Sequence, residues 1–328
     1  MLENLKKLVS YYKPYKKVFM ADMFFAIMAS FIALLIPLVV RYVTAKVIYM
    51  PAEQVVKTMI IIAIVVGILI LFQCYCNYYI ANYGHVMGAK IEYDMRAEIF
   101  GHFQKLLSNY PAETLNETIK GFHDTESRLI AFKEAVEKDS FGRAAKVQKE
   151  IRFVLEREEI SSVFGKLLAK GEIPLRVTHN DTKLNNIMID YATGKGLCVI
   201  DLDTIMPGLA MNDFGDSIRF GASTAAEDEK DLEKVTCSME LFELYTKGFL
   251  EECREQLTTK EIELLPMGAK VMTFECGIRF LTDYLEGDHY FKIHREDHNL
   301  DRCRTQFKLV ADMEKKWDLM QKIVAKYQ

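Results

Sequence analysis

His179, Asp181 and Asn186 lie in the stretch Val177-Thr178-His179-Asn180-Asp181-Thr182-Lys183-Leu184-Asn185-Asn186, the Asp two residues past the His and the Asn five past the Asp. The apolar run Ile187-Met188-Ile189 follows, then the turn Ala192-Thr193-Gly194-Lys195-Gly196, then Cys198-Val199-Ile200-Asp201-Leu202-Asp203. Two β-branched runs joined by a Gly-containing turn predict a β-hairpin. That hairpin would gather Asp181, Asn186 and Asp201 at one end. Oxygen donors gathered this way suit Mg²⁺, which prefers hard ligands and binds through one or two carboxylates plus substrate phosphates. An Asx-rich loop can also do no more than cap a turn. A lone His-x-Asp would carry only that reading; an Asn and a strand-borne acid in register with it point to phosphate chemistry.

His179-x-Asp181 with Asn186, followed by an apolar strand ending in Asp201, resembles the aminoglycoside-phosphotransferase family of small-molecule kinases. The stretch from His179 to Asn186, with Val199-Ile200-Asp201-Leu202-Asp203-Thr204 and Met206-Pro207-Gly208, is similar to its N-acetylhexosamine 1-kinase branch. The resemblance implies ATP and Mg²⁺ as cofactors and a sugar or other small-molecule alcohol as substrate. It makes Asp181 the base that takes the hydroxyl proton, and Asn186 and Asp201 the metal ligands that hold the nucleotide. His179 would orient the loop, and Asp203 would be a further ligand or a partner of one. Residues 118–125, 274–285 and 290–295 resemble the same branch, which implies that Arg279 and Tyr290 contact the sugar. Trp317 is a candidate for an aromatic that stacks on it. Taken alone, Arg279 would pair with Asp283 on one helix face and Tyr290 would pack in the core. His294, Arg295, Arg302 and Arg304 form a basic cluster suited to a phosphate or an acidic face.

Helices must carry the rest. Residues 126–170 read as two helices ending at Gly171, with Leu129, Phe132, Val136, Val147, Ile151 and Val154 as core stripes. A helix beginning at Met211 carries Asp213-Phe214-Gly215, a triplet that spells a kinase metal motif but lies too far past Asn186 and follows no strand. Asp216, on the same helix, is the residue expected to brace the loop. Glu227 to Asp231 reads as a solvated charge run. Further helices are predicted at 232–253, 267–286 and, in one piece, 301–327.

The first third differs in kind. Residues 1–17 are basic and amphipathic, as in a helix at a membrane surface. Two long apolar stretches follow, at about 18–40 and 55–80. The first reaches about 35 Å, enough to cross hydrocarbon about 30 Å thick. A buried hairpin of a soluble protein is the competing reading. Asp22 sits near one end, and Pro37 is tolerable in a membrane helix. Lysines before the first span and Lys90, Arg96 and Lys105 after the second favour both termini in the cytoplasm, hence a multi-pass protein of the cell membrane. Residues 1–107 resemble the opening of a type I ABC exporter transmembrane domain, with an elbow helix, a first span and a second span continuing past the membrane. That resemblance implies a lipid membrane and either a second copy or ABC transporter subunits as partners. No Walker A sequence occurs.

The net charge of −4 gives no sign of nucleic acid, and seven scattered cysteines read as reduced thiols. The expected fold is mainly α: residues 1–108 a partial exporter-type region with a transmembrane helical hairpin and cytoplasmic extension, and residues 109–328 a kinase-like α-helical C-lobe with a short β-hairpin. The kinase N-lobe is expected to be absent, because no G-x-G-x-x-G and no strand-borne Lys occur. Three readings follow. The first is a membrane-tethered sugar kinase, weakened or silenced for lack of that lobe. The second is a component of ATP-driven export, and the third a fusion of two inert pieces.

Overall fold

The computed structural model describes residues 12–88, 90, 91, 105, 112, 115–189 and 196–328. The amphipathic stretch up to residue 11, most of the extension at 92–107, the boundary at Pro111 and the hairpin turn at 190–195 lie outside the described residues. The chain divides into two compact units, Met1–Glu92 and Tyr93–Gln328.

In the first unit, α1 (Lys16–Ala45) and α2 (Ala52–Tyr79) form a helical hairpin. Each outruns the apolar stretch that predicted it, and α1 continues through Pro37. The pair is held by Phe25 against the rings of Tyr75 and Tyr79 and by a 3.3 Å hydrogen bond from the Gln73 amide to the Ala29 carbonyl. Their outer faces are apolar and exposed, as at Ile27, Leu34, Ile68 and Leu71. A π-helical turn, Ile80–Gly84, follows α2, and Asp22 approaches Gly84 so closely that a Cβ there would collide with the carboxyl.

The second unit is mainly helical. Its early helices are α3 (Thr125–Lys138), α4 (Gln148–Leu155) and α5 (Val163–Ala169), three where two were expected. Short 3₁₀ turns at Ala144–Val147 and Glu158–Ser162 break the run. The strands β1 (Arg176–Thr178), β2 (Ile187–Ile189), β3 (Gly196–Val199) and β4 (Met206–Gly208) make two antiparallel pairs, β1 with β4 and β2 with β3. Then come α6 (Ala210–Gly221), α7 (Met239–Cys253), α8 (Thr259–Glu263) and α9 (Leu265–Leu285). The last two are α10 (His298–Lys315) and α11 (Trp317–Tyr327), separated at Lys316, where a single helix was expected. The segment 232–238 is likewise not part of α7; it holds a 3₁₀ turn, Leu232–Lys234, and the bridge residue Cys237.

Helix α9 is the axis of this unit, packed against α3, α6 and α10. Apolar residues on nearly every face bury it all round, from Leu265 through Phe274 and Leu281. Helix α6 crosses it at Gly215 and Gly268, where a Cβ on either residue would collide with the facing backbone. The two helices therefore meet main chain to main chain. Phe214 fills the neighbouring core against Phe242, Tyr245 and Phe249. On β1, Arg176 makes a two-armed ion pair with buried Glu261 of α8 at 2.6 and 2.7 Å, which pins the strand leading into the His179 loop.

Candidate active site

The loop 179–186 runs from the end of β1 to the start of β2. Hairpin register sets what faces it: Ile187 pairs with Val199, and the Ile200 amide donates to the Asn186 carbonyl at 2.9 Å. Asn186 and Asp201 are thereby neighbours. Asp201 adopts a left-handed conformation (φ 64°), which turns the chain sharply after β3.

Asp181 and Asp201 share one cation, the ammonium of Lys183, and Asn186 joins the group through Asp181. That ammonium lies 2.7 Å from Asp181 Oδ2 and 3.8 Å from Asp201 Oδ2, so the two carboxylate oxygens are no farther apart than the 6.5 Å sum of those distances. The Asn186 amide donates to the same Asp181 oxygen at 2.9 Å and to the Asp181 carbonyl at 2.8 Å. With Nδ2 so engaged, Oδ1 is the atom its chemistry would offer to a metal. Burial works against the Lys183 charge, but the two carboxylates outweigh it and hold its pKa above the ordinary value. Sequence reading passed over Lys183. Its signal was there, a Lys two residues beyond the candidate base.

His179 is fully buried and ties the loop to the second strand of the hairpin. Its Nδ1 accepts from the Asp181 amide (3.3 Å), which leaves Nε2 to donate to the Ile200 carbonyl (3.1 Å). Asp203 stands apart: exposed in the Leu202–Thr204 turn, it offers its backbone carbonyl to Thr118 and takes no part in the contacts around Lys183. Among the described residues no group of three His, Cys, Asp or Glu side chains could hold a metal. The donors present are two carboxylates and an amide around an existing cation. That set fits Mg²⁺, which leaves most of its coordination to water and phosphates.

The loop is braced by Asp213, not Asp216. Asp213 Oδ2 accepts the His179 amide (2.9 Å) and Oδ1 accepts the Asn180 amide (2.7 Å), while Ser217 donates to the Thr182 carbonyl (3.0 Å). Asp216 instead pairs with Arg219 of its own helix at 3.0 Å. The triplet Asp213-Phe214-Gly215 thus supplies a loop clamp, a core ring and a helix crossing, and it does follow a short strand, β4. Burial pushes the Asp213 carboxyl up from 3.8 to about 6, against the downward pull of the two amides. A raised folded-state value means that stability from this group is present below about 3.8 and lost as pH rises through about 6. The clamp itself needs both oxygens as acceptors, hence the ionised form. Burial outweighs that preference, so hydrogen-exchange protection of the His179 and Asn180 amides should fall as pH climbs through about 6, and Asp213→Asn should flatten that profile.

Arg279 and Tyr290 line one cavity of about 160 Å³, together with Arg128, Thr282 and Asp283. The Arg279 guanidinium is within 6 Å of the rings of Phe122 (5.7 Å), Tyr290 (5.8 Å) and Phe291 (5.5 Å). Asp283 is not its partner. That carboxylate accepts the amides of His289, Tyr290 and Phe291 and so shapes the loop carrying Tyr290, which is 71% exposed rather than in the core. Trp317 is elsewhere, stacked near Lys270. Lys270 and Arg279 are about 13.5 Å apart along α9, too far for Trp317 to share that cavity. The basic cluster meets an acidic face: Arg295 holds Asp228, which His298 also contacts, Arg302 holds Glu227 and Arg304 holds Glu150, while the His294 backbone amide donates to His298 Nδ1. Two residues of the charge run, Glu227 and Asp228, are thus partners of that cluster. A larger cavity, about 390 Å³, is lined by Phe122, His123, Asn180 and Gly208 but by none of Asp181, Asn186, Asp201 or Arg279.

One stretch is 37% identical over 107 residues to an uncharacterized ABC transporter ATP-binding protein of Bacillus subtilis, YwjA, covering 31% of this chain and 17% of that protein. A second relative from the same organism, YgaD, is named for multidrug export as an ATP-binding/permease protein; it is 27% identical over 113 residues, 34% of this chain and 20% of its own. The chain thus spans no more than a fifth of the length of these curated relatives. Among solved structures, an ethanolamine kinase of Plasmodium vivax is similar with a TM-score of 0.47 and 15% identity, covering 69% of this chain and 62% of that one. Residues 93–235, which hold the whole loop-and-hairpin group and its Asp213 clamp, match the model of the phosphotransferase enzyme family.

Proposed function

We propose that the second unit transfers the terminal phosphoryl group of ATP to a hydroxyl of a small molecule, and that the molecule is a sugar of the N-acetylhexosamine kind. One observation carries the reading: the Lys183 cation held between Asp181 and Asp201, with Asn186 on the same Asp181 oxygen. A site that gathers two acids and an amide around positive charge is built for a metal and phosphates. Asp181 takes the proton of the acceptor hydroxyl as its oxygen bonds to the terminal phosphorus; the bond to the bridging oxygen breaks and ADP departs. Asn186 and Asp201 would hold Mg²⁺, which when bound neutralises charge on the phosphates. His179 keeps the loop in register, and Asp203, outside the group, is at most a remote partner. Lys183, held between the two carboxylates, brings positive charge to the phosphates. Arg279 and Tyr290 supply the sugar-facing wall, since a guanidinium beside the exposed Tyr290 ring and the partly buried Phe291 ring suits a polar ring with apolar faces.

The test uses the full chain in detergent micelles. Mg-ATP should bind by calorimetry and an N-acetylhexosamine should accept phosphate, and Asp201→Ala should remove the Mg²⁺-dependent part of both. Metal-independent binding in the wild type, or full metal dependence in Asp201→Ala, would end the reading.

A second reading has its own support in the exposed apolar hairpin and the two ABC relatives. The first unit would tether the chain to a membrane and pair with another copy or with transporter subunits in ATP-driven export. Co-purification of an ABC subunit with the full chain is the result this reading requires.

A further inference from the structure

His123 and Glu275 form a buried pair behind the loop, 152 residues apart in sequence. His123 Nδ1 lies 3.0 Å from Glu275 Oε1, and Nε2 lies 2.8 Å from the carbonyl of Asn180, the residue before Asp181. Thr125 donates to the other Glu275 oxygen at 2.6 Å. A carbonyl oxygen accepts only, and so does a carboxylate. Both ring nitrogens must then donate, so the ring is an imidazolium. Its surroundings agree: burial opposes the charge, but Glu275, with Asp216 of α6 adding to it, outweighs that and holds the His123 pKa above the ordinary value. Burial likewise opposes the Glu275 charge, and His123, Thr125 and Arg279 together outweigh it. Asp213 also feels the ring. Glu275 is one helical turn from Arg279 on α9.

We infer that His123 is a positioning residue, a charged strut that ties the Asp181 loop to the helix carrying Arg279, so that proton acceptor and sugar-facing wall are set by one contact. It rests on the phosphotransferase reading only for its catalytic consequence. The strut joins Asn180, a residue that strains into the left-handed region (φ 63°) and whose carbonyl direction sets where Asp181 begins. Loss of the Nε2 contact would let the loop relax while Asn186, Asp201 and Lys183 stay in place. Chemistry should suffer and nucleotide binding should not.

Two amides separate the roles of the two nitrogens. Gln reaches where Nε2 does, and Asn only where Nδ1 does. In the full chain, kcat should fall about tenfold or more in His123→Asn, as for a lost hydrogen bond to a group in the reaction. In the double variant His123→Gln with Glu275→Gln it should stay near wild type, and Mg-ATP affinity should hold in both. Equal kcat in the two variants overturns the inference. A wild type that transfers no phosphate sinks the phosphotransferase reading instead. The strut is then judged on nitrogen-15 spectra of histidine-labelled protein, where His123 should keep both protons above pH about 6.5, the ordinary midpoint. A neutral ring there, or an Asp181 amide resonance unmoved in His123→Asn, refutes it.

Discussion

Asp181→Asn is expected to lower kcat for phosphoryl transfer by about 10²–10⁴-fold, the range a positioned general base supplies. Mg-ATP affinity should change far less. Asn has the shape of Asp, and its carbonyl oxygen can still accept the Asn186 amide that now reaches Asp181 Oδ2. What it cannot do is take a proton or balance the charge of Lys183, 2.7 Å away. A fall of kcat and kcat/KM by one factor, with nucleotide binding intact, marks an interaction made only in the transition state. Were Asp181 mainly a metal ligand, Mg-ATP binding would collapse along with kcat. Titration calorimetry beside steady-state kinetics tells the two apart, and unchanged turnover in Asp181→Asn would remove Asp181 from the reaction altogether.

The parts of this site that could be read from the sequence are the local ones. His179, Asp181 and Asn186 lie within eight residues, and the hairpin that returns Asp201 to them is fixed by two short apolar runs. Helix existence was also legible where apolar spacing is strong, as in α9 and α10. Distances along a helix defeated the reading elsewhere. Asp213 and Asp216 are three residues apart and share a face, so nothing in their spacing says which one meets the loop amides. Arg279 and Asp283 satisfy the usual pairing distance, yet the carboxylate is drawn off by three backbone amides of a loop. His123 and Glu275 meet only through the packing of α3 and the segment leading into it on α9, a contact with no local trace. The division at Lys316 has no Pro or Gly to announce it.

The apolar hairpin sets the second large effect. Leu34 and Leu71 are 70% and 72% exposed, and their neighbours on both helices are similar. Each such side chain in water forgoes about 1.5–3 kcal/mol relative to burial. Across two helices of 30 and 28 residues, that sum exceeds the whole stability of an ordinary domain. A lipid bilayer removes the penalty. At 1.5 Å per residue both helices are longer than hydrocarbon about 30 Å thick, so either can span it with tilt. The full chain is therefore expected to stay in the membrane fraction through alkaline carbonate washing and to float with vesicles. Arginine at the centre of a span costs about 2.5–3.5 kcal/mol on insertion. Ile64→Arg combined with Leu34→Arg should thus release most of the chain into the soluble or aggregated fraction, whereas Lys57→Arg, outside the apolar centre, should change nothing. Wild-type chain extracted by carbonate would refute the membrane assignment. The exposed faces would then have to be covered by protein, and the double-arginine variant would break that contact instead.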